Sequence, residues 1–138
     1  MRQRRNNIVM AVKNILLVDD DLPSRRLADI VLQDAKVTCT VSEAKDGKEA
    51  IEMLRNSDEL PDVILLDINM PVMDGLEFIK QLPGVPNAKD VPVVMITTEG
   101  SESHVVQALS CGARGYIRKP FTPDQVKEHV VPVLGGKI

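Results

Sequence analysis

Five short apolar segments alternate along the chain with segments in which apolar residues recur every three or four positions. The short segments are continuously apolar and rich in valine, isoleucine and leucine, which is typical of strands buried on both faces of a parallel sheet. They occupy residues 15–18, 39–44, 63–66, 93–96 and 115–117. The alternation predicts an α/β fold of order βαβαβαβαβα, with helices covering both faces of the sheet.

The segments between the strands carry apolar residues at helical spacing. They include Leu27, Ile30 and Val31 in the first helix, Ala50, Ile51 and Leu54 in the second, and Leu76, Phe78 and Ile79 in the third. Side chains suited to capping begin three helices, namely Asp46 with Glu49, Asp74 with Glu77, and Thr122 with Pro123 and Gln125. Gly112 is expected to end the fourth helix in a left-handed conformation. Phe78 and Phe121 are expected in the core.

The chain has 138 residues, the commonest size of a single domain, and its 43% hydrophobic and 27% charged residues are typical of a soluble globular protein. No apolar run approaches the roughly 18 residues that a membrane span requires, so we expect a cytoplasmic protein. The net charge of -3 argues against a nucleic-acid surface. Cys39 and Cys111 have no second pair nearby and are expected to be reduced, mostly buried thiols.

The domain is expected to occupy residues 13–133, because this span holds every predicted strand and helix. Residues 1–12 are expected to form a mobile N-terminal leader, and residues 134–138 a C-terminal tail. The one dense basic run, at residues 2–5, lies in this leader and is expected to bind nothing.

Polar side chains follow four of the five predicted strands. These strand ends are residues 19–21 (Asp-Asp-Asp), 67–69 (Asp-Ile-Asn), 97–99 (Thr-Thr-Glu) and 118–120 (Arg-Lys-Pro). Because ligands bind outside the carboxyl ends of parallel strands, the four ends are predicted to converge on one crevice. Each of these residues alone is more simply interpreted as an ordinary polar strand end, and only their combination indicates a site.

The acidic strand ends indicate a cation site. Two carboxylates about 4 Å apart repel by roughly 4 kcal/mol at an effective dielectric near 20, so a cluster of them needs a cation. Oxygen ligands select a hard ion, and magnesium fits best because it accepts carboxylates and a phosphate oxygen together. Calcium fits less well, since the spacing of an EF-hand loop is absent. A carboxylate beside this ion, near the Thr97 hydroxyl and the Lys119 ammonium, is equipped to attack phosphorus and form an acyl phosphate.

Four segments resemble bacterial two-component response regulator receiver domains in sequence, order and spacing. They are ILLVDDD at 15–21, ILLDINMPVMDG at 64–75, VVMITT at 93–98 and GYIRKPF at 115–121. The resemblance runs from about residue 13 to 133, nearly the whole chain. It implies a flavodoxin-like (βα)5 fold, a doubly wound parallel sheet with strand order 2-1-3-4-5, of the kind for which a chemotaxis receiver is a known example.

The resemblance assigns the acidic residues. It implies that Asp67 is the phospho-acceptor. It also implies a Mg²⁺ ion, for which Mn²⁺ can substitute, held by Asp20 directly, by Asp19 through a water, by Asp67, and by the main-chain carbonyl of Asn69.

By the same resemblance, Lys119 contacts the phosphoryl group, and a cis peptide bond before Pro120 aims that lysine. Thr97 and Tyr116 resemble the family's switch pair. Phosphorylation is expected to draw the Thr97 hydroxyl inward, and the Tyr116 ring then packs into the vacated space. The alternative for Tyr116 is a half-buried aromatic at a strand edge.

Two positions that tune the phosphoryl lifetime in the family hold Asn69 and Glu99, a pair similar to that of chemotaxis receivers with a short-lived phosphoryl group. We therefore expect a labile phospho-Asp67. The expected output surface is formed by the fourth helix, the fifth strand and the fifth helix, with candidates His104, Val105, Gln107, Ala108, Arg118 and residues 125–128. His104 and His129 are expected to be exposed.

The resemblance also implies partners. A sensor histidine kinase or a histidine phosphotransfer protein is the expected phosphoryl donor, and a downstream protein is the expected target. We expect a monomer without nucleic-acid or membrane binding, and no enzymatic activity beyond its own phosphorylation and dephosphorylation. Chemotaxis is the favoured output. A phosphorelay intermediate and a receiver-like adaptor module that is not phosphorylated are the alternatives.

Two other classes of protein fit less well. A phosphatase of the haloacid dehalogenase type needs a second aspartate two residues after its nucleophile, where this chain has Asn69. A flavin-binding electron carrier on the same fold needs a loop rich in Ser, Thr and Gly after the first strand, and aromatic side chains around the flavin. The chain has Asp-Asp-Asp-Leu-Pro in that loop, with no Trp and one Tyr overall.

Overall fold

The structure is a computed structural model that describes residues 13–34, 39–57, 59–68, 75–86, 88, 90–97, 102–119 and 121–133. The predicted leader at 1–12, the predicted cap at Asp74 and the predicted tail at 134–138 lie outside these residues. The predicted domain boundaries therefore stay predictions.

Five parallel strands form one sheet, as the apolar segments predicted. They are β1 (Lys13–Val18), β2 (Cys39–Ala44), β3 (Val63–Asp67), β4 (Val93–Thr97) and β5 (Gly115–Arg118). Their order across the sheet is β2-β1-β3-β4-β5, and every neighbouring pair is parallel. The predicted strand order 2-1-3-4-5 is confirmed, and the strand ends differ from the predicted ones by at most two residues.

Helices connect the strands. They are α1 (Leu22–Asp34), α2 (Gly47–Asn56), α3 (Gly75–Gln81), α4 (Glu102–Ser110) and α5 (Pro123–Gln125). A 3₁₀ turn at Leu82–Gly84 extends α3, and a π-helical segment at Val126–Val130 extends α5. Within the described part of the chain, no helix is both long and apolar enough to cross a membrane.

The central strands β1, β3 and β4 are buried on both faces, which explains why they are continuously apolar, whereas the edge strands β2 and β5 carry exposed residues. All five residues of β3 are buried, and alternate ones point to opposite faces. Ile64 and Leu66 pack in a core with side chains of α2, α3 and α4, whereas Val63 and Leu65 pack in a second core with side chains of α1 and of the π-helical segment Val126–Val130. Fully burying one such side chain contributes roughly 1.5–3 kcal/mol. The predicted core residues Phe78 and Phe121 are buried.

The predicted core face of α1 was wrong in part. Leu27 and Ile30 are 50% and 57% exposed, whereas Val31 is buried as expected, together with Ala28 and Leu32. The two sets form adjacent stripes of one helix, each with helical spacing. Packing against the sheet selects one stripe, and Ala28 gives too weak an apolar signal for the sequence to identify it.

Local side-chain chemistry sets the N-termini of two helices, α2 and α5, as predicted. The Asp46 side chain accepts a hydrogen bond from the Glu49 N–H at 2.8 Å, and Glu49 accepts one from the Lys45 N–H at 2.8 Å. The Thr122 hydroxyl oxygen accepts one from the Gln125 N–H at 3.3 Å. These bonds satisfy backbone donors that a helix leaves free at its N-terminus.

Gly112 ends α4 in the predicted left-handed conformation, with φ of 117°. Its N–H donates to the Leu109 carbonyl, and the Ala113 N–H donates to the Ala108 carbonyl, which together form a Schellman motif. Cys111 lies in this turn and is exposed, so the expectation of a buried thiol was wrong there. Side chains at a helix C-terminus point towards solvent unless a neighbouring element covers them. The side chain of Cys39 lies outside the described residues.

Candidate functional site

The chain reverses its winding direction between β1 and β3, which are neighbours in the sheet. After β1 the chain enters α1, which packs on one face of the sheet. After β3 it continues to α3, which packs on the opposite face. A crevice opens at such a switch point, beyond the carboxyl ends of the strands, because no helix covers both sides of it. The predicted convergence of strand ends occurs at this crevice.

Three aspartates meet at the crevice. Ligand oxygens of Asp19, Asp20 and Asp67 all lie within 4.8 Å of one another. Asp19 and Asp67 are buried, with 2% and 6% exposure, whereas Asp20 is exposed. The structure thus brings together the three acidic residues predicted to share one site. We call Asp19, Asp20 and Asp67 the carboxylate cluster.

Lys119 supplies the positive charge beside this cluster. Its Nζ lies 3.7 Å from Oδ2 of Asp19 and 4.0 Å from Oδ2 of Asp67. Its backbone N–H donates to the Thr97 carbonyl at 2.7 Å, which ties the segment after β5 to the end of β4. The lysine therefore lies just after β5 and faces the two buried carboxylates that follow β1 and end β3. A compact cation in this position reduces the repulsion between them.

Thr97 is the last residue of β4 and is 2% exposed. Register places it opposite Arg118, while Asp67 pairs with Ile96 one residue earlier on β4. The threonine thus lies on the strand between those that carry Asp67 and Lys119. The structure assembles the predicted set of three acids, one hydroxyl and one ammonium at adjacent strand ends.

Asp21 does not belong to the carboxylate cluster, although it continues the run of three aspartates. Its Oδ2 accepts hydrogen bonds from the Ser24 hydroxyl at 2.7 Å and the Ser24 N–H at 3.1 Å. These bonds to Ser24 lower the pKa of the Asp21 carboxyl below its ordinary range. Asp21 is therefore the N-cap of α1. Ser24, three residues after an aspartate, was the signal in the sequence for this role.

Gly75 is a second residue whose role the residue pattern alone did not identify. A Cβ added there would lie 2.8 Å from the Cα of Ile68 and 3.2 Å from the carbonyl oxygen of Asp67. Its N–H donates to the Ile68 carbonyl at 3.2 Å. Only glycine permits this close approach of the start of α3 to the end of β3.

Tyr116 lies on the edge strand β5 and is 41% exposed. Its ring stacks on the imidazole of His129, with centroids 6.3 Å apart and an interplanar angle of 22°. His129 is consequently half-buried, and its predicted exposure was wrong, whereas His104 is exposed as predicted. The stack places Tyr116 on the surface between β5 and the last helix.

The predicted output surface needs one correction. Ala108 is fully buried and Val105 packs against the core, so neither is available as an exposed contact. Val106 and Leu109 are the exposed apolar residues of α4. Residues 105 and 108 share one face of the helix and residues 106 and 109 share another, and packing determines which face is exposed.

Three predicted site residues, Asn69, Glu99 and Pro120, lie outside the described residues. The roles expected for them therefore stay predictions.

The donor chemistry of the carboxylate cluster fits a hard divalent cation. All three ligand residues offer carboxylate oxygens, the ligands that Mg²⁺ and Mn²⁺ prefer over thiols or imidazoles. Two of the carboxylates are buried, and isolated buried charges of one sign are costly. The cluster can thus hold a metal ion.

The strand order and the crevice at the switch point define a flavodoxin-like α/β protein with an acidic site. A sequence profile described as the response regulator receiver domain matches residues 15–131. The chain belongs to this family, and the resemblance noted in the sequence is confirmed. Receiver domains accept phosphoryl groups from histidine kinases and contact downstream targets, so the family places the chain in two-component signalling.

Relatives of this chain cover most of its length. It is similar to the chemotaxis protein CheY homolog of Campylobacter jejuni, with 39% identity over 88% of this chain and 92% of the relative. It is also similar to the chemotaxis protein CheY1 of Helicobacter pylori, with 41% identity over 88% of this chain and 96% of the relative. The solved structure of CheY4 of Vibrio cholerae matches with a TM-score of 0.78 and 36% identity, over 89% of this chain and 99% of that one.

The cap of α1 leads to a prediction on pH dependence. Asp21→Ala is expected to lower the thermal unfolding midpoint at neutral pH, because α1 loses the acceptor for Ser24. Folding lowers the pKa of Asp21, so the ionised Asp21 carboxylate stabilises the folded state. This stabilisation is fully present above the unfolded-state pKa and is lost as the pH falls through the folded-state pKa. The difference in midpoint between wild type and variant should therefore shrink in the acidic range, as measured by circular dichroism.

Asp21→Asn is the matched control, since it keeps a side-chain oxygen acceptor without the titrating carboxyl. Its midpoint relative to Asp21→Ala should vary little with pH. A wild-type advantage that stays constant or grows on acidification would contradict the assignment.

Proposed function

We propose that this chain is a phospho-accepting response regulator in which Asp67 takes a phosphoryl group in the presence of Mg²⁺. The observation that carries the proposal is the carboxylate cluster with Lys119 at 3.7 and 4.0 Å from its two buried members. An acid held beside both a cation site and an ammonium is equipped to act as a nucleophile towards phosphorus.

Asp19, Asp20 and Asp67 would hold the metal, together with the main-chain carbonyl of Asn69, which lies outside the described residues. Mn²⁺ would substitute for Mg²⁺, because both accept oxygen ligands. When bound, the ion neutralises charge on the phosphoryl oxygens and on the attacking carboxylate.

A carboxylate oxygen of Asp67 attacks the phosphorus of a phosphohistidine on a sensor kinase or phosphotransfer protein. The new O–P bond makes an acyl phosphate, the N–P bond breaks, and the electron pair returns to the imidazole of the donor. The Lys119 ammonium, which lies beside Asp67, contacts a phosphoryl oxygen and compensates its negative charge. The Thr97 hydroxyl donates a hydrogen bond to another phosphoryl oxygen. The chain itself catalyses only this transfer and the later hydrolysis.

Thr97 and Tyr116 would convert this chemistry into a change of surface. Inward movement of the buried Thr97 hydroxyl frees space into which the exposed Tyr116 ring packs. That movement alters the surface formed by α4, β5 and the last helix, where Val106 and Leu109 are exposed. An apolar surface of this kind fits contact between a monomeric regulator and a downstream protein.

Chemotaxis is the favoured output, because the relatives from Campylobacter jejuni and Helicobacter pylori are named chemotaxis proteins. A phosphorelay intermediate would use the same site and pass the phosphoryl group on to a histidine. A receiver-like adaptor would keep the fold without phosphorylation. All five predicted positions of the site are filled at adjacent strand ends, which favours the phosphorylated alternatives over an adaptor.

Intact-mass analysis with Mg²⁺ and acetyl phosphate tests the proposal. The wild type is expected to gain one phosphoryl mass, because Asp67 lies in the cluster beside Lys119 and stands at the acceptor position that the receiver family implies. Asp67→Asn and a magnesium-free sample should gain none. Asp29→Asn, a change on α1 outside the cluster, is the matched control and should gain the mass as the wild type does.

A wild type that gains no mass under these conditions would favour the adaptor instead. A gain that persists in Asp67→Asn would place the acceptor elsewhere.

The lifetime of the phosphoryl group is a separate prediction, based on Asn69 and Glu99 in the sequence. We expect fast decay of phospho-Asp67, because the pair is similar to that of chemotaxis receivers with a short-lived phosphoryl group. The half-life after removal of the donor measures it, with the loss of phosphoryl mass as the signal. A half-life of many hours would show that this pair does not set the lifetime here.

A further inference from the structure

Arg25, in the second turn of α1, joins three elements at the edge of the carboxylate cluster. Its Nη1 donates to the main-chain carbonyl of Asp19 at 2.6 Å, and its Nε donates to Oε1 of Glu43 at 2.8 Å. Only 14% of its side chain is exposed. The guanidinium thus links α1 to the residues at the carboxyl ends of β1 and β2.

The bond from Arg25 completes a set that fixes Asp19 through each of its polar groups. The Asp19 N–H donates to the Ala44 carbonyl at 3.1 Å. Its Oδ1 accepts from the Asp21 N–H at 2.9 Å, and its Oδ2 lies 3.7 Å from Nζ of Lys119. The carbonyl bonded by Arg25 is the remaining polar group of this residue.

That carbonyl belongs to the peptide unit between Asp19 and Asp20. Because a peptide unit is planar, fixing its oxygen fixes the direction in which the chain continues to Asp20. Asp20 is exposed, so surrounding side chains constrain its carboxylate less than they constrain buried Asp19. The orientation of this peptide is therefore one constraint on where the Asp20 carboxylate lies, and the bond from the Asp21 N–H to Oδ1 of Asp19 fixes the peptide that follows.

We propose that Arg25 is a positioning residue for the cation site, and that Glu43 anchors its guanidinium. The planar fork of arginine bonds the Asp19 carbonyl and the Glu43 carboxylate at the same time, which a lysine ammonium cannot do with the same geometry. The inference deepens the proposed function and depends on it, since it concerns the same carboxylate cluster. It adds a residue that binds neither the metal nor the phosphoryl group.

The charge of Arg25 and its proposed positioning role predict opposite changes in Mg²⁺ affinity when the residue is replaced. A guanidinium beside an acidic cluster repels a divalent cation, so its removal alone should tighten Mg²⁺ binding. Loss of a residue that orients metal ligands weakens binding, typically by a factor of ten or more. The direction of the change in Kd for Mg²⁺ therefore separates the two effects.

The experiment is a Mg²⁺ titration of the full chain, in which NMR amide chemical shifts report binding. It compares the wild type with Arg25→Gln, Arg25→Lys and Arg26→Gln. We expect Arg25→Gln to raise the Kd about tenfold. Arg25→Lys keeps the charge and should restore binding in part. Arg26→Gln removes the same charge from an exposed neighbour on the same helix, and should leave the Kd unchanged or slightly lower. Unfolding midpoints without metal establish that each variant is folded.

Unchanged or tighter Mg²⁺ binding in folded Arg25→Gln would overturn the inference and leave the proposed function intact. A wild type that binds no Mg²⁺ would instead overturn the metal dependence of the proposed function. If Arg25→Gln does not fold, Arg25→Lys decides, because a Kd equal to that of the wild type would exclude a role for the arginine fork.

Discussion

Two buried carboxylates repel each other at the centre of the site, and the groups around them are arranged to compensate for that repulsion. Asp19 and Asp67 are nearly inaccessible to water and lie at neighbouring strand ends with Asp20 beside them. Burying like charges is costly unless opposite charges and hydrogen-bond donors compensate. The ammonium of Lys119 provides part of this compensation, and the Asp21 N–H bonds one oxygen of Asp19. A site organised in this way is poised for a cation and for a group that carries its own negative charge.

The fold produces this constraint through its topology. Helices on opposite faces after β1 and β3 leave the ends of these two strands uncovered, so their last side chains meet in a crevice. Gly75 allows the start of α3 to approach the carbonyl of Asp67. Lys119 reaches the same place because its backbone is bonded to the end of β4. Stability and chemistry therefore depend on the same parallel sheet, whose two apolar cores keep the strand ends in register.

The sequence predicted those features that depend on local chemistry or on topology. Asp46 and Thr122 cap helices through neighbours three residues away, and Gly112 adopts the backbone conformation that favours glycine. The carboxylate cluster was predictable because parallel strands bring their carboxyl ends to one edge. The buried faces of α1 and α4 were predicted less well, since packing selects between adjacent stripes of a helix. The role proposed for Arg25 needed the three-dimensional structure, because it rests on bonds to Asp19 and Glu43.

The decisive measurement is a crystal structure grown with Mg²⁺ and beryllofluoride, an analogue of the phosphoryl group. We expect beryllofluoride bonded to the carboxylate of Asp67, with Lys119 contacting it and the metal held by the carboxylate cluster. Oxygen ligands about 2.0 to 2.1 Å from the ion would identify magnesium. A metal bound elsewhere, or beryllofluoride attached to another residue, would contradict this expectation.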